Sequence, residues 1–276
     1  MSWQILDRFW HQTLRRPYYL ARPLDQGDGP AVVFLHGIGR TGETWQLVVE
    51  GLSHLPCRLV ALDLLGFGAS PKPGWPAYDI DDHARAVIAS LEKLKSAGPS
   101  VLVGHSMGCL VSVRVARLRP DLVKHLVLYE MPLYEGLPEK RRYRLRLNLY
   151  SRFYKHILRY QPTFDTETAR LTEKIARKVA GFEVTPETWQ PFVKSLEHTI
   201  MRQTAADDIK HLSAPMDVIY GTLDMFVIRG KPQQMFGSDA ANVTAHTIRE
   251  RHIISEKASR FLVERITAAL VTPPLN

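Results

Sequence analysis

Short apolar runs that alternate with segments of helical periodicity constrain the fold of this chain more than any other feature of its sequence. The runs cover residues 31–36, 59–65, 100–106 and 122–132. The first of them is continuous, and a continuous apolar run of this length is typical of a strand that is buried on both faces of a sheet. The segments between them carry apolar residues at helical spacing. The sequence therefore predicts an α/β fold with a mostly parallel central sheet and helices on both of its faces.

The alternation stops near residue 133, and a long stretch of helical character follows. Two further strand patterns then appear at residues 216–221 and 243–248, and a final helical pattern closes the chain. An α/β domain of this size often carries an insertion. We therefore predict a helical cap, residues 133–206, inserted into a core that comprises residues 1–132 and 207–276.

The first residues of the chain carry an apolar stripe formed by Trp3, Leu6, Trp10 and Leu14. This spacing predicts a short amphipathic helix, and we expect its stripe to pack on the parent domain rather than on a membrane or a partner. Charged residues interrupt the segment, so no run is long enough for a signal peptide or a membrane span. We therefore expect a soluble, cytoplasmic protein without an integral membrane segment.

The net charge of +8 arises from one segment of the chain. From Lys140 to Arg159 the acidic residues are absent and lysines and arginines are frequent. The rest of the chain has as many lysines and arginines as aspartates and glutamates. On a helical projection Tyr143 and Leu147 share one face, and most of the arginines lie opposite. We predict a cap helix with a solvated cationic face, and weak contact of that face with an anionic substrate or membrane surface is the alternative. Nothing here resembles a nucleic-acid-binding module.

The two cysteines, Cys57 and Cys109, are too few for a disulfide framework. Neither stands at a spacing that holds zinc, and no histidines or carboxylates show metal-ligand spacing outside the residues discussed next. We therefore expect two free buried thiols, no metal and no cofactor.

The pentapeptide Gly104-His105-Ser106-Met107-Gly108 joins a predicted strand to a predicted helix. In that context Gly-x-Ser-x-Gly forms a tight turn with the serine at its tip, and glycine is needed on both sides because larger side chains would collide. The serine stands at a helix N-terminus, where aligned amide dipoles favour a developing negative charge. Ser106 is therefore the predicted nucleophile.

A serine nucleophile needs a base, and the base needs an acid that orients it. Asp224 and His252 follow the last two predicted strands, in the order serine, acid, histidine that this kind of turn requires. The oxyanion of a tetrahedral intermediate needs two fixed donors. We predict a triad of Ser106, His252 and Asp224, with the backbone N–H groups of Ile38 and Met107 as the donors. Other histidines are interpreted as structural: His36, His105 and His246.

At these residues the chain resembles the α/β-hydrolase superfamily with a helical cap, and in particular its esterase-like serine hydrolases. The resemblance runs from about residue 30 to about residue 265 and includes the loop Asp63–Ser70, which shapes the pocket entrance in that family. Some members place the acid after the strand that precedes the cap, where Glu130 stands here. The resemblance thus makes Glu130 either a substitute for Asp224 or a buried, paired carboxylate. A serine in the turn argues against the haloalkane dehalogenases and epoxide hydrolases, which use aspartate.

The resulting hypothesis is a cofactor-independent, carboxylesterase-like hydrolase. It would cleave carboxylic esters of small to medium apolar acyl or aryl groups through an acyl-enzyme. The same triad also fits a carbon-carbon bond hydrolase, a lactonase or a perhydrolase, because specificity lies in the cap. A slow-turnover ligand sensor that docks a partner on its cationic cap face is the alternative from a different class.

Overall fold

The computed structural model describes residues 3–14, 16–94, 96, 98–133, 184–224, 226–227 and 242–271. Most of the predicted cap lies outside these residues, and so does the whole predicted cationic helix between Lys140 and Arg159. Among the described helices, none combines the length and the apolar character that crossing a bilayer requires.

The described part of the chain contains a seven-stranded sheet in the order β1-β3-β2-β4-β5-β6-β7. Strand β1 runs antiparallel to β3, and the other neighbouring pairs are parallel. This arrangement confirms the predicted fold class. The strands are β1 Leu24–Gln26, β2 Ala31–Leu35, β3 Arg58–Leu62, β4 Ser100–His105, β5 Val123–Tyr129, β6 Met216–Gly221 and β7 Val243–Ile248.

Helices cover both faces of this sheet. One face packs on α3, α4 and α5 and the other on α2 and α7, and each interface is a buried apolar cluster. In chain order the described helices are α1 Trp3–Arg8, α2 Gln46–Leu52, α3 Ile80–Leu94, α4 Met107–Leu118, α5 Pro186–Ser195, α6 Ala205–Lys210 and α7 Glu256–Val271. Single π-helical turns extend α1 over Phe9–Thr13 and α5 over Leu196–Met201.

The described end of the predicted cap packs directly on the core. Trp189 and Phe192 of α5 are buried in the same apolar cluster as the sheet. The Lys194 ammonium donates to the Gly74 carbonyl oxygen at 2.9 Å, and the Thr199 hydroxyl donates to that of Tyr78 at 2.9 Å. These bonds attach α5 and its extension to the chain between β3 and α3. The boundaries of the cap at residues 133 and 206 stay a prediction.

Helix α1 forms where the sequence predicts it, but the expected packing of its apolar stripe is wrong. The side chains of Leu6, Trp10 and Leu14 are 64%, 52% and 46% exposed. The helix attaches through its polar side instead, because the Asp7 carboxylate accepts hydrogen bonds from the Tyr18 hydroxyl at 2.9 Å and from the Trp75 indole at 3.2 Å. Periodicity indicates that a stripe exists and does not indicate which way it faces.

Candidate active site

Ser106 lies between β4 and α4 with φ +52° and ψ −119°, a conformation that an L-residue adopts only under strain. The flanking glycines are needed for the reason that the sequence predicts. A Cβ on Gly104 would lie 2.7 Å from the Cα of Cys109, and a Cβ on Gly108 would lie 2.1 Å from the carbonyl oxygen of Leu35. The turn thus holds Ser106 at the carboxyl end of β4, directly before the first residue of α4.

The predicted base and acid lie next to this serine. His252 Nε2 lies 3.0 Å from Ser106 Oγ, and His252 Nδ1 lies 2.6 Å from Asp224 Oδ2. All three side chains are buried. The structure therefore brings together, in one chain of hydrogen bonds, three residues that are far apart in the sequence.

The environment of Asp224 keeps its carboxylate ionised. Burial raises the pKa of Asp224, but the hydrogen bond and the charge of His252 outweigh burial and lower that pKa to about 2. The backbone N–H of Phe226 also donates to Asp224 Oδ1 at 2.6 Å. An ionised Asp224 fixes the proton of His252 on Nδ1, which leaves Nε2 free to accept the proton of Ser106.

Glu130 is the second carboxylate at this site. It follows β5 with φ +56°, is fully buried, and accepts a hydrogen bond from the Gly221 N–H at 2.6 Å. A side-chain hydrogen bond between Glu130 and Asp224 also helps to lower the pKa of Asp224. Since Asp224 is the carboxylate bonded to His252 Nδ1, the geometry favours Asp224 as the orienting acid and Glu130 as a buried, paired carboxylate.

The loop that carries His252 is held by Tyr129, which sequence reasoning missed, and by His105, which it interpreted as structural without naming a partner. The Tyr129 hydroxyl lies 3.1 Å from the carbonyl oxygens of Arg251 and Ile253, which share its one proton as acceptors. The His105 ring donates from Nε2 to the carbonyl oxygen of His252 at 3.2 Å, and burial lowers the pKa of His105 well below its usual range. The only sequence signal for these roles is that both residues end buried strands beside the site.

The predicted oxyanion donors occupy suitable backbone positions. Met107 is the first residue of α4, so its N–H has no acceptor within the helix. Ile38 lies in the loop after β2, next to Gly39 with φ +64°. A cavity of about 380 Å³ opens beside this loop and is lined partly by Gly39, Arg40 and Thr41. The role of the two amides stays a prediction.

Asp63 holds the loop after β2, whereas the resemblance implies only that the loop Asp63–Ser70 shapes the pocket entrance. Its two carboxylate oxygens accept hydrogen bonds from the N–H groups of Gly42 and Ala69, each at 2.8 Å. A Cβ on Gly68 would lie 2.1 Å from Asp63 Oδ2. Asp63 therefore joins the loops that follow β2 and β3, and it positions the segment that carries Ile38.

The two other histidines that the sequence analysis interprets as structural have partners outside the triad. His36 Nδ1 lies 2.7 Å from the Gly37 carbonyl oxygen, and His36 Nε2 accepts a hydrogen bond from the Leu64 N–H. His246 Nε2 lies 2.5 Å from Asp217 Oδ1. Cys57 and Cys109 are buried and free.

Glu130, Asp224 and His252 are the residues of this site with atoms that could ligate a metal ion. One such atom from each lies within 4.8 Å of the others. Both nitrogens of His252 are already engaged, one with Asp224 and the other with Ser106. This donor set therefore fits proton transfer from a hydroxyl better than it fits metal ligation.

Comparison with known proteins places these observations in a family. The model of the alpha/beta hydrolase family matches residues 32–264. A lipase, LipV, of Mycobacterium tuberculosis is 40% identical over 104 residues, which cover 37% of this chain and 38% of the lipase. A probable lysophospholipase of Arabidopsis thaliana, BODYGUARD 4, is 36% identical over 109 residues, which cover 39% of this chain and 26% of the relative. The matches thus span well under two thirds of these relatives.

Solved structures show the same fold at low sequence identity. A thermophilic esterase from Thermogutta terrifontis superposes with a TM-score of 0.66 at 22% identity, covering 91% of this chain and 92% of the esterase. An epoxide hydrolase from Bacillus megaterium superposes with a TM-score of 0.65 at 19% identity, covering 92% and 97%. Relatives with different chemistries therefore share this scaffold, and chemistry has to be argued from the site.

Proposed function

The chain belongs to the alpha/beta hydrolase family, and from that premise we propose that it is a serine hydrolase that cleaves carboxylic esters with Ser106, His252 and Asp224. The observation that carries the proposal is the hydrogen-bonded chain from Ser106 Oγ through His252 to Asp224, at 3.0 Å and 2.6 Å. Lipase and lysophospholipase relatives agree with ester chemistry.

The first half of the reaction follows from these positions. Ser106 Oγ attacks the ester carbonyl carbon as its proton passes to His252 Nε2, and the carbonyl electrons move onto the oxygen. The N–H groups of Ile38 and Met107 donate to that oxyanion. The intermediate collapses, the bond to the alcohol oxygen breaks, and His252 gives its proton to the leaving alkoxide. Asp224 stabilises the imidazolium at each transfer.

The second half repeats the chemistry with water. His252 takes a proton from water, the hydroxide attacks the acyl-enzyme, and the acid is released as Ser106 recovers its proton. A serine that opened an epoxide would form an ether, which this water could not cleave. Ser106 therefore favours an acyl substrate over an epoxide, although a relative from Caballeronia sordidicola is an epoxide hydrolase. For the acyl or aryl group we propose small to medium apolar substituents.

The test uses p-nitrophenyl esters of increasing acyl chain length on the full chain. We expect turnover by the wild type and a loss of at least about a thousandfold in kcat for Ser106→Ala, because the covalent step is removed. Labelling by a fluorophosphonate should disappear in the same variant, and the best chain length measures the pocket. Turnover that survives Ser106→Ala would refute the proposed nucleophile. Labelling without turnover of any ester would keep the activated serine and refute ester hydrolysis.

A further inference from the structure

The helix formed by α1 and its π-helical extension presents apolar side chains to solvent. Five of its apolar side chains are exposed by 46% to 64%, and we call this group the outer face. Two of them, Ile5 and Phe9, also line a cavity between the helix and residues 71–75. Soluble proteins seldom leave a contiguous group of large apolar residues uncovered unless the group binds something. The outer face comprises Ile5, Leu6, Phe9, Trp10 and Leu14.

The attachment of the helix explains why this face stays outside. Asp7 is bonded to Tyr18 and Trp75, and the ring of His11 stacks on that of Tyr18 with 3.6 Å between centroids. These contacts occupy the polar side of the helix. The helix is therefore oriented opposite to an ordinary surface helix, which buries its apolar face and exposes its polar one.

Cations accompany the outer face. Arg8 and Arg16 are exposed, and the Arg16 guanidinium lies 5.8 Å from the centroid of the Trp10 ring. The carboxylate of this helix, that of Asp7, already accepts hydrogen bonds from Tyr18 and Trp75. Exposed Trp, Phe and Leu beside arginines are typical of helices that lie in the interface of an anionic membrane.

We propose that this helix docks the protein on an anionic lipid surface, with the outer face inserted among the headgroups and Arg8 and Arg16 against lipid phosphates. A second copy of the chain fits this face less well. A two-fold symmetric contact brings two copies of the same surface together, so Arg8 and Arg16 of both copies would gather at a contact whose outer faces hold no acid. Anionic lipid neutralises the same two charges.

The position of the helix relates this surface to the candidate active site. A cavity of about 870 Å³ lies between the helix and residues 71–75. Lys72 lines this cavity and also the smaller one beside Gly39–Thr41. A docked protein would thus present that side of the site toward the lipid. The docking itself does not depend on the proposed ester hydrolysis.

The test is flotation of the full chain with vesicles of phosphatidylcholine, alone or with about one third phosphatidylglycerol. We expect binding to the anionic vesicles that high salt weakens. The double variant Leu6→Ser/Trp10→Ser should bind at least about tenfold more weakly, because it removes apolar area from the interface. Arg8→Gln/Arg16→Gln should lose the preference for anionic vesicles. The matched control is Leu118→Ser, which changes a leucine that is 41% exposed at the end of α4 and should bind as the wild type does.

Three outcomes would overturn the proposal. The first is a wild type that does not float with anionic vesicles. The second is equal binding by Leu6→Ser/Trp10→Ser, which would assign the binding to the cationic segment Lys140–Arg159. The third is a dimer in light scattering that the same double variant abolishes, which would make a second copy the occupant of the outer face. Thermal unfolding of each variant checks that it is folded.

Discussion

Asp224 and Glu130 are both buried beside His252, and they differ in what they bond. Asp224 accepts from His252 Nδ1, whereas Glu130 accepts from the Gly221 N–H. We expect Asp224→Asn to lower kcat by about a thousandfold or more, because an amide favours the wrong tautomer of His252. Glu130→Gln keeps an acceptor for Gly221 and should lower kcat by less than about tenfold. Ester kinetics on the two variants compare them directly, and a reversed order would make Glu130 the orienting acid.

The Tyr129 hydroxyl acts on the reaction only through the loop that carries His252, so Tyr129 is a positioning residue. Tyr129→Phe removes the donor to the carbonyls of Arg251 and Ile253 and should lower stability by about 1 kcal/mol. We expect kcat to fall several-fold with KM nearly unchanged, since the substrate does not touch the hydroxyl. Tyr19→Phe, at a ring that is 51% exposed, is the control for both readouts. A changed KM with an unchanged kcat would contradict this role.

At the scale of elements, α4 can pack against the end of β2 only because Gly108 has no side chain. Gly108→Ala would place a Cβ 2.1 Å from the Leu35 carbonyl oxygen, so backbone must move. We expect a loss of several kcal/mol in the free energy of unfolding, or no folded protein. Gly74→Ala is the matched control, because nothing lies within 4 Å of its Cβ, and it should be close to neutral. Chemical denaturation of the two variants measures the difference, and similar stabilities would show that α4 can shift at little cost.

Sequence reasoning succeeded where a local pattern has a steric or topological cause. Strand β2 is apolar throughout, β4 is apolar over residues 101–103, and the turn at Ser106 needs its glycines, so these features were predictable. Strand β1 was missed because Leu24–Gln26 is three residues long, lies at the sheet edge and is largely exposed. Contacts of Tyr129 and Glu130 were not predictable, because their partners belong to loops that are distant in sequence.

At the scale of the whole molecule, buried neutral histidines should make the fold sensitive to acid. Burial lowers the pKa of His36 to about 4 and that of His83 to about 3, below the usual value of 6.5. Below pH 6.5 these two histidines therefore bind protons in the unfolded chain that they do not bind in the folded chain. Stability is present above pH 6.5 and is lost as the pH falls toward these lower values.

His83 provides the variant that tests this sensitivity. Its Nε2 lies 3.0 Å from the Ser195 hydroxyl, a contact that a glutamine amide can replace. When the pH falls from 7.5 to 5.5, we expect the free energy of unfolding of the wild type to decrease by about 1 kcal/mol more than that of His83→Gln. The reason is that the variant lacks one titrating group. Urea denaturation at the two pH values gives the difference. Equal losses would mean that His83 is protonated equally in both states.

Tyr129, the last residue of β5, and Glu130 after it contact the segments that carry all three residues of the triad. The Tyr129 carbonyl oxygen accepts from the Ser106 N–H at 3.0 Å, its hydroxyl holds the loop around His252, and Glu130 bonds Gly221 just before Asp224. For enzyme engineering this makes positions 129 and 130 a poor target, because substitutions there act on the segments that position the nucleophile, the base and the acid. A mutagenesis library that leaves this dipeptide intact and varies residues 184–203 can search for new substrates while the reacting groups keep their spacing.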